Sequence, residues 1–455
     1  MLIIFLFYSV NVVFSQDPVA NLIQGRVVGI KVFQESSLTP IEIYFGIPYA
    51  APPTGRLRFS PPERHSGWKR TYFAHRVAPS CPQHNQTEND SSENCLYLNI
   101  WTSRRVDGRP QPVIVILYSE SWTGGALNLP CQELASEGVV VVTVSYRLHF
   151  LSFFTLKSAK ARGNLALLDQ YLALLWVHEN ISAFGGDPSS VTLLGHSAGA
   201  DSVLHHIISP RATGLFHKAI IMSPHNTWQG ISGDKTVTAD EIARVSREVA
   251  QSVGCLNYTS RDEDVLYCMQ NKPLKDFTIS FTNKTLEKYM QPISDDFLPE
   301  SIQYLPLSIV KVLKNPTNFY VPIDIMLGTT DLDSVKPLDS RFKSLITKSY
   351  KQIYDFSLEK IIPDILHALS LNNPETLQTL VNAVVWEYWD PERDALTSYK
   401  AVTSLAAMDT AVNSAVGSYY LAEKLSNHVS KTFVYRYSQP TKVDLQGNRL
   451  NFTGE

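Results

Sequence analysis

The stretch Val191–Ala200, which reads VTLLGHSAGA, constrains the fold of this chain most. An apolar, β-branched run ends in a Gly-x-Ser-x-Gly motif centred on Ser197, and a helix-compatible segment follows it. This setting predicts a strand that turns sharply into a helix and holds Ser197 Oγ above the sheet edge. Glycines flank the turn because a side chain at Gly195 or Gly199 would collide with neighbouring backbone. The motif therefore predicts a nucleophile elbow.

The two neighbours of Ser197 are expected to differ in role. Ala198 begins the predicted helix, where the backbone N–H groups lie at the positive end of the helix dipole. Its N–H is therefore the expected donor to an oxyanion. His196 points away from the serine across the turn, so we interpret it as a packing residue or pocket wall rather than a base.

Composition indicates an ordinary globular protein with a large core. The chain has 455 residues, of which 44% are hydrophobic and 18% charged. The formal net charge of −3 and the lack of basic runs give no indication of nucleic-acid binding. We expect no metal and no cofactor.

The amino terminus carries a predicted export signal. Residues Leu2–Ser15 form an apolar run, so residues 1–15 are interpreted as a signal peptide cleaved near Ser15. The alternatives are a buried first strand or a short anchor, although the run is too short to span a bilayer comfortably. No later stretch is predicted to span a membrane. Residues 16–455 are predicted to form one domain.

The cysteines and glycosylation motifs also favour export. Cys81 and Cys95 bracket one polar loop, Cys255 and Cys268 bracket another, and Cys131 is left over. Such short loops are easily closed by disulfides in an oxidising compartment, the alternative being five reduced core cysteines. Repeated Asn-x-Ser/Thr motifs argue against that alternative and predict a glycosylated surface. The acceptors are Asn85, Asn89, Asn180, Asn257, Asn283 and Asn451.

The order of predicted elements indicates an α/β protein with a mainly parallel central sheet flanked by helices. Continuous apolar runs at Val113–Leu117 and Val139–Val144 are typical of strands buried on both faces. Asn164–Glu179 has apolar residues at helical spacing, and the strand of the elbow follows it. Gly25–Gln34 and Ile41–Phe45 predict a small antiparallel ribbon. Further strands are predicted at Leu215–Met222, Val321–Leu327 and Thr432–Tyr437, within a region that is otherwise mostly helical.

Several longer segments resemble the type-B carboxylesterase/cholinesterase family of α/β-hydrolases. The resemblance covers nearly all of the chain after the signal peptide, and it implies acyl transfer by a serine, a histidine base, an orienting carboxylate and glycine N–H donors. It assigns the nucleophile to Ser197. The two cysteine pairs also lie where that family has its first two disulfides. The segments are FGIPYAAPPTGRLRF, ENCLYLNIW, VVVVTVSYRL, GNLALLDQYLALLWVHENISAFGGDPSSVTLLGHSAGA and GLFHKAI.

The expected oxyanion loop departs from the family pattern. Where the family has His-Gly-Gly-Gly-Phe, this chain reads Tyr-Ser-Glu-Ser-Trp at residues 118–122. Side chains at Ser119 and Glu120 obstruct the close glycine backbone that the donors need, and the carboxylate adds negative charge. Loss of one such donor typically costs ~10²–10³ in turnover. Gly124 and Gly125 are the alternative source of a shifted oxyanion hole.

The expected acid and base also depart from the pattern. Asp333 lies where the family has Glu, and the alternative is a solvated loop aspartate. His367 and His428 follow it but are interpreted as structural, and no histidine occurs in residues 438–455, so the chain is expected to lack the family's histidine loop and last helix. His225 is the candidate substitute base, because it follows the strand after the elbow.

Three functional hypotheses remain. The first is a secreted glycoprotein of the carboxylesterase type with a degraded site, which binds an extracellular protein partner. The second is an active hydrolase of a small carboxylic ester, represented by an incomplete chain. The third is a shortened chain that folds poorly. A cholinesterase activity is disfavoured: the resemblance implies a Trp in this loop that holds choline by a cation–π contact, but Pro82–Asn94 contains no Phe, Tyr or Trp.

Overall fold

The structure is a computed structural model of the chain. It describes residues 17–33, 40–83, 91–104, 107–119, 121–125, 129–224, 237–257, 260–277, 284–314, 321–334, 347–368, 371, 373–389 and 397–438. Every structural statement below concerns these residues.

A nine-stranded sheet forms the centre of the described chain, with the order β12-β11-β10-β9-β7-β8-β6-β4-β3. The strands from β12 to β8 in this order pair in parallel, and β6, β4 and β3 pair antiparallel. The main-sheet strands are β3 Ile30–Val32, β4 Ile41–Pro48, β6 Tyr97–Thr102, β7 Gln111–Ser119, β8 Val140–Val144, β9 Gly186–Ser197, β10 Lys218–Met222, β11 Asp324–Thr330 and β12 Lys431–Tyr437.

A second, small sheet contains β1 Val19–Leu22, β2 Gly25–Val28 and β5 Tyr72–Phe73. The predicted ribbon is therefore divided: β1 and β2 form one antiparallel pair, whereas β3 pairs with β4 at the edge of the main sheet. Gly29 lies between the two pairs, where a Cβ would lie 2.5 Å from the Ile43 carbonyl oxygen.

Helices cover the sheet and dominate the chain after residue 236. In chain order they are α1 Gln132–Ser136, α2 Phe150–Phe153, α3 Leu165–Asn180, α4 Ala198–Ile208, α5 Ala239–Ser252, α6 Asp262–Asn271, α7 Lys284–Glu287, α8 Ile309–Lys314, α9 Tyr350–Phe356, α10 Ile362–Ala368, α11 Pro374–Tyr388, α12 Ser398–Thr410 and α13 Val416–Ser426. Within the described ranges, no helix is both long enough and apolar enough to cross a bilayer.

The parallel strands carry the core and align the site. All five residues of β8 are buried, as expected for a strand covered on both faces. The predicted strands at Leu215–Met222 and Val321–Leu327 each begin three residues later in the structure, as β10 and β11. Since β9, β10 and β11 run in parallel and in register, their carboxyl ends meet at one edge of the sheet.

Candidate active site

Ser197 occupies the sharp turn that the motif predicts. It is the last residue of β9, and α4 begins at the next residue. Its backbone has φ +55° and ψ −120°, a conformation that side-chain-bearing residues rarely adopt. Such strained backbone persists only when the surrounding structure enforces it. The elbow geometry is therefore present.

The two motif glycines enforce the turn by close backbone contact. A Cβ on Gly195 would lie 2.1 Å from the Gly199 carbonyl oxygen. A Cβ on Gly199 would lie 1.8 Å from the Leu117 carbonyl oxygen on β7. Both distances are far below van der Waals contact, so only glycine fits at either position. Ala198 is buried at the first position of α4, where a backbone N–H has no carbonyl partner within the helix.

The segment after β7 lies beside the elbow. Residues Ser119 and Ser197 are aligned partners on the parallel strands β7 and β9. The Ser119 hydroxyl is buried and makes hydrogen bonds to the Ser121 and Gly124 carbonyl oxygens, the latter at 2.7 Å. Two backbone carbonyls are therefore directed at the Ser119 hydroxyl, in the segment where the family resemblance implies N–H donors. Glu120 lies outside the described residues.

One of the two downstream glycines, Gly125, already has a partner for its N–H. The Gly125 N–H donates to Gln83 Oε1 at 2.8 Å, and Gln83 Nε2 donates to the Gly125 carbonyl at 3.0 Å. The shifted oxyanion hole considered from the sequence is therefore contradicted at Gly125, because its N–H is already bonded. The signal that sequence reasoning missed is Gln83, which lies two residues after Cys81.

Trp122 fixes the same segment in the core. Its side chain is 5% exposed and packs edge-on against Phe153, with ring centroids 5.4 Å apart. Its carbonyl oxygen accepts the His149 N–H at 2.8 Å. A large buried aromatic side chain of this kind anchors the backbone on either side of it.

Asp333 lies at the same edge of the sheet as Ser197. Met222 of β10 is aligned with His196 on one side and Gly328 on the other, and Asp333 follows the end of β11. Its Oδ1 accepts the Thr330 hydroxyl at 2.7 Å and the Thr330 N–H at 3.3 Å. Its Oδ2 is buried and has no hydrogen-bond partner within the described chain. The Asp333 carboxylate is thus held by hydrogen bonds within its loop rather than freely solvated.

Tyr435 on β12 is close to that carboxylate. Burial, followed by the negative charge of Asp333, raises the pKa of the Tyr435 phenol to about 12. The phenol therefore stays protonated at neutral pH and adds no further negative charge to this edge of the sheet.

The histidines considered in the sequence analysis lie in different places. His225 lies outside the described residues. His428 precedes β12, whose first residue is aligned with the first residue of β11, so it lies at the opposite edge of the sheet. His367 is exposed on α10. His196 stacks on Tyr118 with ring centroids 5.7 Å apart, as its packing interpretation predicts.

Two buried histidines on α4 were missed in the sequence analysis. His205 Nδ1 donates to the Asp201 carbonyl at 2.6 Å. His206 Nε2 donates to Gln170 Oε1 at 2.9 Å, and its Nδ1 accepts the Tyr304 hydroxyl at 2.6 Å. Burial lowers the pKa of His205 to about 4 and that of His206 to about 3, so both are neutral near pH 7. These contacts are structural, and only the position of the pair on the helix after the elbow could have drawn attention to it.

The cysteines pair as predicted. Disulfides join Cys81 to Cys95 and Cys255 to Cys268. Cys131 is free and buried, and burial raises the pKa of its thiol to about 12, which makes it unreactive.

The predicted glycosylation sites differ in their surroundings. Asn180 is 3% exposed, its Nδ2 donates to the Trp176 carbonyl at 3.0 Å, and its Oδ1 accepts the Ile23 N–H. This burial contradicts glycosylation of Asn180, since a glycan needs an exposed side chain. Asn257 is exposed. The other predicted acceptors, Asn85, Asn89, Asn283 and Asn451, lie outside the described residues.

Comparison with known proteins agrees with the fold. A family model described as the carboxylesterase family matches residues 16–453. The chain is 36% identical to the liver carboxylesterase of Sus scrofa over 307 residues, which are 63% of this chain and 53% of that protein. It is 37% identical to carboxylesterase 1E of Rattus norvegicus over 280 residues, which are 57% and 48%.

The match to carboxylesterase 1F of Mus musculus is similar, with 36% identity over 276 residues, which are 57% of this chain and 48% of that protein. The chain thus spans about half the length of the curated relatives it matches. Because the family model covers nearly the whole chain, this protein belongs to the carboxylesterase family.

Proposed function

We propose that this protein keeps the carboxylesterase scaffold but hydrolyses esters little or not at all, and that it acts by binding an extracellular protein partner. The observation that carries the proposal is the state of residues 119–125. The Ser119 hydroxyl bonds backbone carbonyls, and the Gly125 N–H is taken by Gln83. In the segment where the family resemblance implies N–H donors, these backbone groups are therefore already hydrogen-bonded within the protein.

The size of this effect supports a loss of activity. Acyl transfer places negative charge on the former carbonyl oxygen, and backbone N–H groups stabilise that charge. Removing one donor costs ~10²–10³ in turnover, or about 3–4 kcal/mol of transition-state stabilisation.

The acid position gives weaker support. An aspartate side chain is one methylene shorter than the glutamate that the family resemblance implies, and a misplacement of about 1 Å costs ~10²-fold. Thr330 binds Oδ1 of Asp333 through both its hydroxyl and its N–H. The carboxylate is thereby fixed on its own loop.

Secretion belongs to the same proposal. Two disulfides are expected of a protein that folds in an oxidising compartment. The exposed Asn257 supports glycosylation there, and residues 1–15 would direct export. A protein that is exported and glycosylated but has an impaired catalytic site can still act through its outer surface. This favours a protein partner.

A second candidate function is hydrolysis of a small carboxylic ester by Ser197. The observation that favours it is the strained backbone of Ser197, at φ +55°. Strain of this kind is usually retained where it serves a reaction. The two functions differ in one measurable property, the reactivity of Ser197.

The deciding experiment treats the purified full chain with a fluorophosphonate probe and, separately, with p-nitrophenyl acetate. Ser197→Ala is compared with Ser121→Ala, which removes an exposed serine hydroxyl close by. We expect the unsubstituted protein to show no more probe labelling and no more ester turnover than Ser197→Ala. Labelling and turnover that are present in Ser121→Ala but lost in Ser197→Ala would reject the proposal in favour of the hydrolase.

A further inference from the structure

The two edges of the central sheet differ in how well they are protected from pairing with another strand. One edge is β3, which is short. The other is β12, which pairs with β11 along its whole length without a bulge. Among the described strands, none pairs with the outer side of β12. Proteins usually protect a sheet edge with a short strand, a bulge, a proline or charges. The sequence of β12, KTFVYRY, has no proline, and its two charged residues lie on either side of an apolar centre.

The hydrogen bonds of β11 show which backbone groups of β12 face outward. The Asp331 N–H donates to the Tyr437 carbonyl at 3.1 Å, so Tyr437 directs its carbonyl toward β11. On the other side of β11, the Gly328 carbonyl accepts the Ser223 N–H at 2.9 Å, as the alternation along a strand requires. Every second residue of β12 therefore presents its N–H and C=O groups on the outer side. These residues are Thr432, Val434 and Arg436.

The side chains at this edge are apolar and exposed. Phe433 is aligned with Met326 on β11, and the two residues are 51% and 42% exposed. Parallel strands are normally covered on both faces, so exposed apolar side chains on two adjacent parallel strands indicate a surface that binds another protein. On the opposite face, Leu327 is fully buried, whereas its aligned neighbour Val434 is 43% exposed. A further strand beside β12 would cover Val434.

We propose that β12 pairs with β12 of a second copy of this chain, antiparallel and centred on Val434, so that the two sheets join across a twofold axis. A twofold interface brings the same surface of both copies together, so the strand must be complementary to its own reverse. The inference goes beyond the proposed function, because it concerns the assembly of the chain and not the reactivity of Ser197.

The sequence of β12 is complementary to itself in this register, and all of its residues pair. Phe433 lies opposite Tyr435 of the other copy, and such aromatic pairs across two strands are favourable. Lys431 lies opposite Tyr437, and Arg436 lies opposite Thr432, so like charges do not face each other. The charge of Arg436 is also balanced by its ion pair with Asp331.

The backbone directions suit the same register. Val434 is one of the residues whose N–H and C=O groups face outward. Opposite its own counterpart, it forms a hydrogen-bonded antiparallel pair, in which the two residues exchange both N–H···O bonds. The centre of the interface therefore contains two intermolecular hydrogen bonds between the two copies of Val434.

The first test measures the mass of the purified full chain by size-exclusion chromatography with light scattering, over a range of protein concentrations. We expect a dimer that dissociates on dilution. Val434→Pro removes the outward N–H and no bond to β11, and edge strands tolerate proline at such positions. Because both central hydrogen bonds are lost, the dissociation constant should rise by at least about thirtyfold. Val434→Ile is the matched control, since it keeps the N–H and the branched side chain and should stay within about threefold.

The second test uses cysteine cross-linking, which does not depend on how well the proline variant folds. In the proposed pair the two Val434 Cα atoms are about 5.5 Å apart, a distance that a disulfide can span. We expect Val434→Cys to form a covalent dimer under mild oxidation, seen on a non-reducing gel. Thr432→Cys is the matched control on the same side of the same strand. Its two copies would be at least about 13 Å apart, too far for a disulfide.

Three outcomes would overturn the proposal. The first is a single-copy mass at every concentration; amides of Thr432 and Arg436 that resist hydrogen exchange in that single copy would show that another segment of the chain covers β12. The second is a dimer that is as stable in Val434→Pro as in Val434→Ile. The third is cross-linking of Thr432→Cys that is as fast as that of Val434→Cys. Dimer formation leaves the proposed function open to its own test, because labelling of Ser197 is measured separately.

Discussion

The elbow at Ser197 and the segment that follows β7 lie side by side at one sheet edge, yet different forces fix them. Backbone collisions fix the elbow, since a side chain at Gly199 would lie 1.8 Å from the Leu117 carbonyl oxygen. Side chains fix the neighbouring segment: Ser119 and Gln83 are hydrogen-bonded to its backbone groups, and Trp122 is buried in the core. A steric requirement belongs to the fold itself, whereas a hydrogen-bond pattern is replaceable.

This difference explains how a site can lose its chemistry while its scaffold persists. The elbow cannot change without disturbing the close approach of α4 to β7, on which the packing of the sheet depends. In the neighbouring segment an exposed side chain such as that of Ser121 can be exchanged at small cost to stability, whereas Ser119 and Trp122 are buried. We therefore expect substitutions in the two regions to differ strongly in their effect on folding.

The largest expected effect comes from Gly199→Ala. The added methyl group would overlap the Leu117 carbonyl, so β7 and α4 must separate. We expect a loss of at least about 3 kcal/mol in the free energy of unfolding, at the upper end of overpacking effects. Denaturant unfolding followed by circular dichroism measures it.

Gly124→Ala is the matched control in the neighbouring segment. A Cβ there would have one contact within 4 Å, with Gln83 Oε1 at 3.4 Å, which is ordinary packing distance. We expect the free energy of unfolding to change by no more than about 0.5 kcal/mol. Equal losses in Gly199→Ala and Gly124→Ala would contradict the distinction between steric and polar control.

Much of the fold was predictable because it follows from local patterns. Continuous apolar runs predicted the buried strands β7 and β8, and the spacing of glycines around Ser197 predicted the elbow. The disulfide between Cys81 and Cys95 was predictable from two cysteines around a short polar loop. In each of these cases the residues that determine the structure are close together in sequence.

The details of the site were not predictable, because they depend on distant residues. Gln83 reaches Gly125 across 42 positions, and His206 reaches Tyr304 across 98. Asn180 is buried and accepts a hydrogen bond from the backbone N–H of the distant Ile23, which its glycosylation motif does not reveal. A motif shows which residue types are present, but hydrogen bonding and burial are set by the tertiary structure.

The next largest effect concerns pH and α4, the helix that the elbow begins. His206 has a folded-state pKa of about 3, below the usual 6.5, so the unfolded chain binds a proton more readily. The stability that neutral His206 contributes to the folded state is fully present above pH 6.5 and is lost as the pH falls toward 3. We expect His206 to account for about 2 kcal/mol of the stability lost between pH 7 and pH 5.

Urea unfolding at the two pH values checks this expectation against two variants. His206→Gln should lower the free energy of unfolding at pH 7. It should also remove the part of the stability loss between pH 7 and pH 5 that is due to protonation of His206. His367→Gln, which changes an exposed histidine, should leave the pH dependence as it is in the unsubstituted chain. A pH dependence that is identical in His206→Gln and the unsubstituted chain would show that His206 does not titrate as its burial implies.

The smallest of these effects is expected from Ser119→Ala, which tests the polar side of the comparison directly. The substitution removes the one proton that the hydroxyl donates to the Ser121 and Gly124 carbonyls, and it leaves backbone packing intact. We expect a loss of about 1 kcal/mol in the free energy of unfolding, because one buried hydrogen bond is lost. Urea unfolding at pH 7 measures it, with Ser121→Ala as the control for an exposed hydroxyl. A loss as large as that of Gly199→Ala would mean that the segment contributes to the scaffold as much as the elbow does. The difference between this segment and the family's glycine loop would then affect the fold as well as the chemistry.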